Sequence, residues 1–589
     1  MIGRYKSTAF HARLAVILVF LTVLSSCTGE EEPFTPDNED PDPNPSIRWT
    51  TLASGKTLLG VWIDCDSTAY TVGEAGLAFY SDGEGWLPMP IGSNETFNAI
   101  WGDGTGKLFA VGESGRVATY DGSWTVRSSP VDTELLSVWG SSPSNIFAVG
   151  VFGKIIRFNG TRWSAMDSGT SVDLHDVYGT PGGEVIAVGK SGIVLHYNGT
   201  GWGRIHTPYT AWYTGVWIDQ EENVYVTGLG GYIVRYTNGI WTRMNSGTHH
   251  PLRDIHGVSS GEIYAVGDNG TILEFDGEDW TMSDTDYSLF FKSVWACGDE
   301  ALCVGSPGAI VRFDGEDWQI ESRTTSAHLF SVFGAGKYVF AAGQTGTILH
   351  FDRKVWEVEN TVTTENLNSL WGEYGDWMMT SGDGGKTFIF DGMDWNDIGG
   401  EPISALNDLW GFDETDVWGV GAYGRIYHFN GSEWSLAGQP ALDWLWGVWG
   451  PAPGDIFAVG SGGTIYRLVD DNWILMDSGD DIQLFDIWGN SEQDIFAVGL
   501  NGTVLHFDGA EWEKMDTPTT RALYGIWGFA PDDLIAVGEF GAVIRYDGES
   551  WSSDYCGSGE HLRAVWGTTS TDIFAVGSLG TVVYYGLVE

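Results

Sequence analysis

Three short stretches of this 589-residue chain carry residue types suited to chemistry. Gly257-Val258-Ser259-Ser260-Gly261 matches the G-x-S-x-G expression that lifts a nucleophilic serine onto a strand-to-helix elbow. The stretch from Gly382 to Thr387, GDGGKT, ends like a loop whose backbone amides cradle phosphate ahead of a helix. His249 and His250 stand side by side. Each fails on context. The serines occupy a turn where other units carry GSSPS or GTTST, with no helix to follow. Thr380 stands where the first glycine of a phosphate loop belongs, and adjacent histidines in a loop point in different directions and read as surface. No EF-hand spacing or His/Cys ligand cluster appears, so no metal and no cofactor is expected. Cys297 and Cys303 flank the first hairpin of one unit and are expected to form a disulfide in an exported protein; Cys65 and Cys556 are expected to be free.

Any site must be positioned by what repeats. A Gly followed three residues later by a second Gly recurs fourteen times, from Gly73 and Gly76 to Gly577 and Gly580, about 39 residues apart. This is turn spacing, since Gly supplies positive φ without steric cost. Within a unit, four short apolar runs alternate with turn signals. In the third they read LLSVWG, NIFAVG, KIIRFNG and RWSAMDSG, each long enough for a strand and too short for a helix. Four antiparallel strands in that length make one β-propeller blade, so the chain is expected to be all-β, a tandem propeller of fourteen four-stranded blades.

Two aromatic registers run through the units. One closes the first strand, from Trp62 and Trp101 to Trp566, with Tyr178, His256 and Phe333 at three places; the other opens the fourth strand, from Trp86 to Trp551. A short residue such as Gly60, Ser137, Asp486 or Ala564 stands two positions before the first-register aromatic. The rings are therefore expected to pack on short side chains of the next blade as inter-blade core, with sugar-stacking platforms as the competing reading. The last unit stops without a fourth strand, whereas IRWTTLASG at 47–55 precedes the first and matches TRWSAMDSG with Trp49 in register. It reads as a displaced fourth strand that leaves no blade edge open. Two rings of seven follow most naturally: 47–315, completed by the strand of Trp49, and 316–589, opened by the strand of Trp318, with the break near Gly315. An unequal division, or a ring completed by both chain ends with the other inserted, stays open.

The pattern GTILHFDGxxW that runs through the units resembles propellers with Asp-box turns and, more closely, the repeats of the photosystem II assembly-factor family. The resemblance covers every unit but rests on a short motif. It implies a propeller and, by analogy, a factor that assembles or stabilises a membrane complex. The chain departs from both families: Asp508-Gly509-Ala510-Glu511-Trp512 is one residue shorter than the Asp-box spacing, and the second Gly of the assembly factors' turn is missing.

At the N-terminus, Arg4, Lys6 and Arg13 precede an apolar run too short to span a bilayer, which ends at Leu24-Ser25-Ser26-Cys27. This resembles the bacterial lipobox and implies a signal peptide at 1–26, cleavage before Cys27 and lipidation of Cys27; an ordinary secretory signal cut nearby is the alternative. Residues 27–46, acidic and rich in Pro, read as a solvated tether. Thr28 stands where an Asp resembling an inner-membrane retention signal is absent, so the expected address is the outer membrane or cell surface, reached through the lipid anchor. The net charge of −50 grows more negative when the basic leader is lost, which argues against nucleic-acid partners and direct lipid binding.

Specificity is expected three residues before the first-register aromatic, where the strand lining the central channel begins. In the first seven units the position holds Leu59, Asn98, Leu136, His175, Thr214, Arg253 and Lys292, and in the rest Phe330, Asn368, Asn407, Trp446, Phe485, Tyr524 and Arg563. Trp212 and Trp444 lie in adjoining loops. Aromatics beside Asn suit a protein or glycan contact surface; merely filling the channel mouth is the plainer alternative. No unit carries the long insertion that new catalytic chemistry brings. The expectation is a non-catalytic, lipid-anchored binding scaffold, with an assembly factor and a sialidase-like or lyase-type carbohydrate-active enzyme as alternatives.

Overall fold

The computed structural model describes residues 48–586 except 54, 65–67, 84–85, 90, 284–288, 323–324, 336–337, 352–355, 360–362, 374–376, 400–403, 441 and 480. The signal peptide, Cys27, the tether and Cys65 lie outside the described residues. Among these there are fourteen four-stranded antiparallel sheets, joined by turns and short 3₁₀ segments, with no α-helix. The chain is a tandem β-propeller, and its blades coincide with the sequence units. Blade 3, for example, consists of Leu135–Ser142, Asn145–Gly150, Ile155–Phe158 and Trp163–Met166.

First strands pack on first strands from blade to blade. Leu58–Ile63 of blade 1 meets Phe290–Cys297 of blade 7, and Leu329–Ala335 of blade 8 meets Leu562–Thr569 of blade 14, so two rings of seven close. Their composition differs from the division at Gly315. The strand Arg48–Ala53 pairs with Val582–Gly586, Arg48 opposite Gly586 and Thr51 opposite Val583, and so completes blade 14. Trp318–Ser322 stays on its own blade 7, with Trp318 opposite Phe313. The reason is local. Asp314 Oδ1 accepts from the amides of Glu316 and Asp317, both at 2.9 Å, which folds the connection at Gly315 into a tight turn. Ring two, blades 8–14, is therefore completed by strands from both ends of the described chain, and ring one, blades 1–7, is inserted between them.

The inter-blade core is built as expected in kind but not in detail. In most blades the first-register ring packs over the glycine that follows the next blade's aromatic, not over the short residue two places earlier. A Cβ at Gly140 would lie 2.9 Å from the Trp101 ring, and one at Gly489 2.6 Å from the Trp449 ring. Trp566 meets Gly334 in the same way and seals ring two. The two glycines of each turn also differ in purpose. Gly112 has extended backbone, and its missing side chain admits the Thr96 carbonyl, which a Cβ would approach to 1.9 Å; Gly115 supplies φ of 67°.

The expected disulfide between Cys297 and Cys303 is not formed. Cys303 is a buried free thiol opposite Val294, three positions inward from Cys297, so the two side chains leave opposite faces of the hairpin. Cys297 is nonetheless disulfide-bonded, to neither Cys303 nor Cys556.

Candidate functional site

In each blade the turn between the second and third strands folds back onto the loop that enters the first strand. The Glu113 amide donates to the Thr96 carbonyl, and the Leu500 amide to that of Gln483. Turn tips, entry loops and first-strand starts thus share one face, around the channel mouth of each ring.

At the mouth of ring two, aromatic rings form an unbroken arc. Tyr423 lies 6.5 Å from Trp444, which stacks on Trp446 at 5.3 Å and 21°. Trp446 meets Phe485 edge-on, and Phe485 meets Tyr524 edge-on at 5.1 Å. The Arg563 guanidinium sits 4.4 Å over the Tyr524 ring, and His561 links Tyr524 to Phe540. Phe330, Asn368 and Asn407 line the same mouth, whose cavity measures about 140 Å³. Trp444 is 41% exposed and Phe540 54%. The Asn side chains are committed to structure: Asn407 Nδ2 donates to the Leu445 carbonyl at 2.7 Å, and Asn368 Nδ2 to that of Leu406 at 3.0 Å, each bridging to the next blade.

Tyr423, Phe540 and Leu579 escaped the sequence reading. They stand before the second glycine of their turns with φ of 62°, 52° and 53°, left-handed backbone that costs an L-residue about 1–2 kcal/mol. Asn269 and Asn501, better suited to that conformation, occupy the same place in other blades. The legible signal was a bulky residue just before the second Gly, as in GAYG and GEFG.

The mouth of ring one is polar. Trp212 Nε1 donates to His175 Nε2 at 2.7 Å, which fixes the ring proton on Nδ1; burial first, then the Lys190 charge, holds the His175 pKa down to about 4. Lys190 pairs with Asp173 at 2.6 Å and lies 4.4 Å over the Trp212 ring. Arg253 grips Asp268 with two bonds of 2.8 and 2.7 Å. Lys292 is half-buried, and burial and then the Arg253 charge lower its pKa.

Below each mouth the first strands approach closely and carboxylates bridge blades. Asp176 accepts from Ser137 Oγ at 2.6 Å and the Val216 amide at 2.7 Å, and Asp408 accepts from the Val448 amide at 2.9 Å. Asp254 and Asp486 occupy the matching places two blades on, bonded to the amides of Val294 and Ile526. Burial, with the neighbouring carboxylate adding to it, pushes Asp254 up to about 7 and Asp486 up to about 8. Elsewhere, a cavity of about 450 Å³ lies between blades 4 and 5, where Ile186 replaces the ring supplied by Phe147 or Tyr225 in adjacent blades. The serine and phosphate-loop expressions fall on a hairpin between Leu252–Ser259 and Glu262–Gly267 and on a 3₁₀ turn entering the strand Thr387–Phe390, with no helix at either.

No protein-family model matches the chain. No curated protein matches it either. Among solved structures, it is similar to the GH74 xyloglucanase from Xanthomonas campestris, with TM-score 0.59 and 13% identity over 92% of this chain and 100% of that one. A structure of YCF48 bound to D1 peptide aligns with TM-score 0.39 and 15% identity over 44% of this chain and 94% of that one. At 13% identity the likeness to the xyloglucanase shows the propeller fold alone.

Proposed function

We propose that this chain is a non-catalytic binding protein of the bacterial cell envelope, anchored by lipid on Cys27 and holding a protein partner against the mouth of ring two. The observation that carries this reading is the arc from Tyr423 to Phe540, in which bulky residues occupy left-handed turn tips that small polar residues fill more cheaply. Packing does not require them there, since Tyr423, Phe540 and Leu579 are exposed. A protein is favoured over a glycan because exposed Leu442, Leu500 and Leu579 accompany the rings, and several rings meet edge to face rather than lying flat as platforms. Aromatic and Arg anchors of this kind carry most of the energy of protein interfaces.

The test is affinity purification from envelope extracts of wild type and of a Trp444→Ala, Tyr524→Ala variant, with melting temperature as the folding control. Wild type should retain one stoichiometric protein that the variant loses. A partner kept equally by both, or turnover of a polysaccharide by the purified protein, would sink the reading. The lipid anchor is checked separately: Cys27→Ser should release the protein from the membrane fraction.

A further inference from the structure

The second and third strands of a blade set one pair of side chains against the next blade. In blade 12 His506 stands opposite Phe496 and stacks on it at 4.4 Å and 23°. His350 stacks on Phe340 at 4.8 Å in blade 8, and His428 lies 4.6 Å from the Trp418 ring in blade 10. Blade 3 sets Arg157 opposite Phe147, its guanidinium 5.3 Å over that ring and 3.2 Å from the Tyr197 hydroxyl of blade 4. Blade 4 breaks the pattern. Its His196 stands opposite Ile186, and among the described residues it lies on no aromatic ring. Blade 13 also carries an aliphatic residue, Ile535, but Arg545 opposite it reaches the Tyr585 ring of blade 14 at 4.1 Å. Only in blade 4 do an aliphatic in place of a ring and an imidazole in place of a guanidinium coincide, beside the cavity of about 450 Å³ that both residues line.

Neighbouring blades define what such a space holds. Phe147 meets Tyr197 at 5.1 Å and Trp202 edge-on at 5.9 Å. The matching rings of blade 5, Tyr236 and Trp241, lie 4.8 Å apart and share their apolar cluster with Ile186 instead. A planar ring entering beside Ile186 would find His196 to stack on and Tyr236 to meet, the contacts that offset and edge-to-face aromatic pairs favour. The charged groups set the rest of the ligand. Glu184 Oε2 lies 2.6 Å from His196 Nε2, and the other oxygen of Glu184 takes no hydrogen bond among the described residues. Exposed Glu221 and Glu222, from the hairpin of blade 5, line the same cavity. The guanidinium beside it, that of Arg235, lies 5.3 Å over the Tyr225 ring, on the face turned to Phe275 of blade 6.

We infer that this cavity binds a small aromatic cation, a single planar ring in the place that Phe147 fills in blade 3, with an amidinium or ammonium group on Glu184. The site is separate from the aromatic arc of ring two and does not depend on its reading. A planar amidinium can pair with both oxygens of a carboxylate, and the apolar walls of Ile205, Ile218 and Val224 strengthen that pair by keeping water from it.

Calorimetric titration of the full chain with benzamidine tests the inference, compared with benzoate, which keeps the ring and reverses the charge, and with methylguanidine, which keeps the cation and lacks the ring. Benzamidine should bind, and each of the others at least about tenfold more weakly. Ile186→Phe puts back the ring that blade 3 carries; it should abolish benzamidine binding while the melting temperature holds or rises. Glu184→Gln keeps the side-chain shape, removes the charge and should weaken binding by about tenfold; it decides the matter if the phenylalanine variant does not fold. Trp444→Ala at the mouth of ring two should leave the affinity as it was. The inference is overturned if benzamidine does not bind, if benzoate or methylguanidine binds as tightly, or if either folded variant of blade 4 binds benzamidine like wild type.

Discussion

Phe540 holds φ of 52° at an exposed turn tip, a conformation that Asn tolerates better than a bulky side chain. Phe540→Asn should therefore raise stability, by about 0.5–1 kcal/mol, while weakening partner binding; denaturant unfolding and the co-purification assay measure the two halves. Asn407→Ala should do the reverse. It breaks the bond to the Leu445 carbonyl and should cost about 1 kcal/mol of stability with partner retention unchanged. At this scale the sequence was half legible. First-strand spacing located Trp446, Phe485, Tyr524 and Arg563 at one mouth, because a period fixes position. It did not separate Asn368 and Asn407, which bridge blades, from neighbours that face outward, because an amide serves either role and only the distance to the next blade's carbonyl decides.

Strands and blades were legible because an aromatic residue, a following Gly and a Gly-x-x-Gly turn recur together through most units, although Ile63, Ile218 and Ala296 stand in place of the following Gly in three of them. Gly489→Ala would push a methyl into the Trp449 ring at 2.6 Å and should cost about 1–3 kcal/mol, read as a shift in denaturation midpoint. Ring membership was not legible at the level of one element. The strands of Trp49 and Trp318 obey the same pattern, and the choice between them is made by the Asp314 turn, which holds Trp318 on its own blade. Deleting residues 47–53 should consequently destabilise blade 14 and the rest of ring two while ring one keeps its protease resistance; limited proteolysis with mass analysis distinguishes the rings. Loss of ring one instead would contradict the strand pairing.

Over the whole molecule, the buried carboxyls give stability a pH dependence opposite to that of ordinary ion-paired acids. Asp254 and Asp486 keep their protons up to about pH 7 and 8 when folded. Unfolded carboxyls ionise near pH 4. The folded state thus binds more protons between those limits, and stability falls as pH rises through the window. Melting temperature should be lower at pH 8.5 than at pH 5.5, and Asp486→Asn should flatten the slope. Self-repulsion of a chain with net charge −50 acts in the same direction but is screened by salt, whereas the buried groups are not. The propeller was readable from the repeat, and so was the gathering of aromatics at the second mouth; which cations of the first mouth find carboxylates was not, since Lys190 and Asp173, or Arg253 and Asp268, meet only when the turn of a blade folds back on the loop that enters it.

The most direct measurement is in-cell photo-cross-linking from single sites on the two faces of ring two, with a photoreactive residue replacing exposed Phe540 at the mouth or exposed Thr415 in the opposite hairpin of blade 10. One protein species should be captured from position 540, lost when Trp444 and Tyr524 are replaced by Ala, and absent from position 415. Equal capture from both faces, or capture at 540 that survives loss of the two rings, would contradict a binding face built on the aromatic arc.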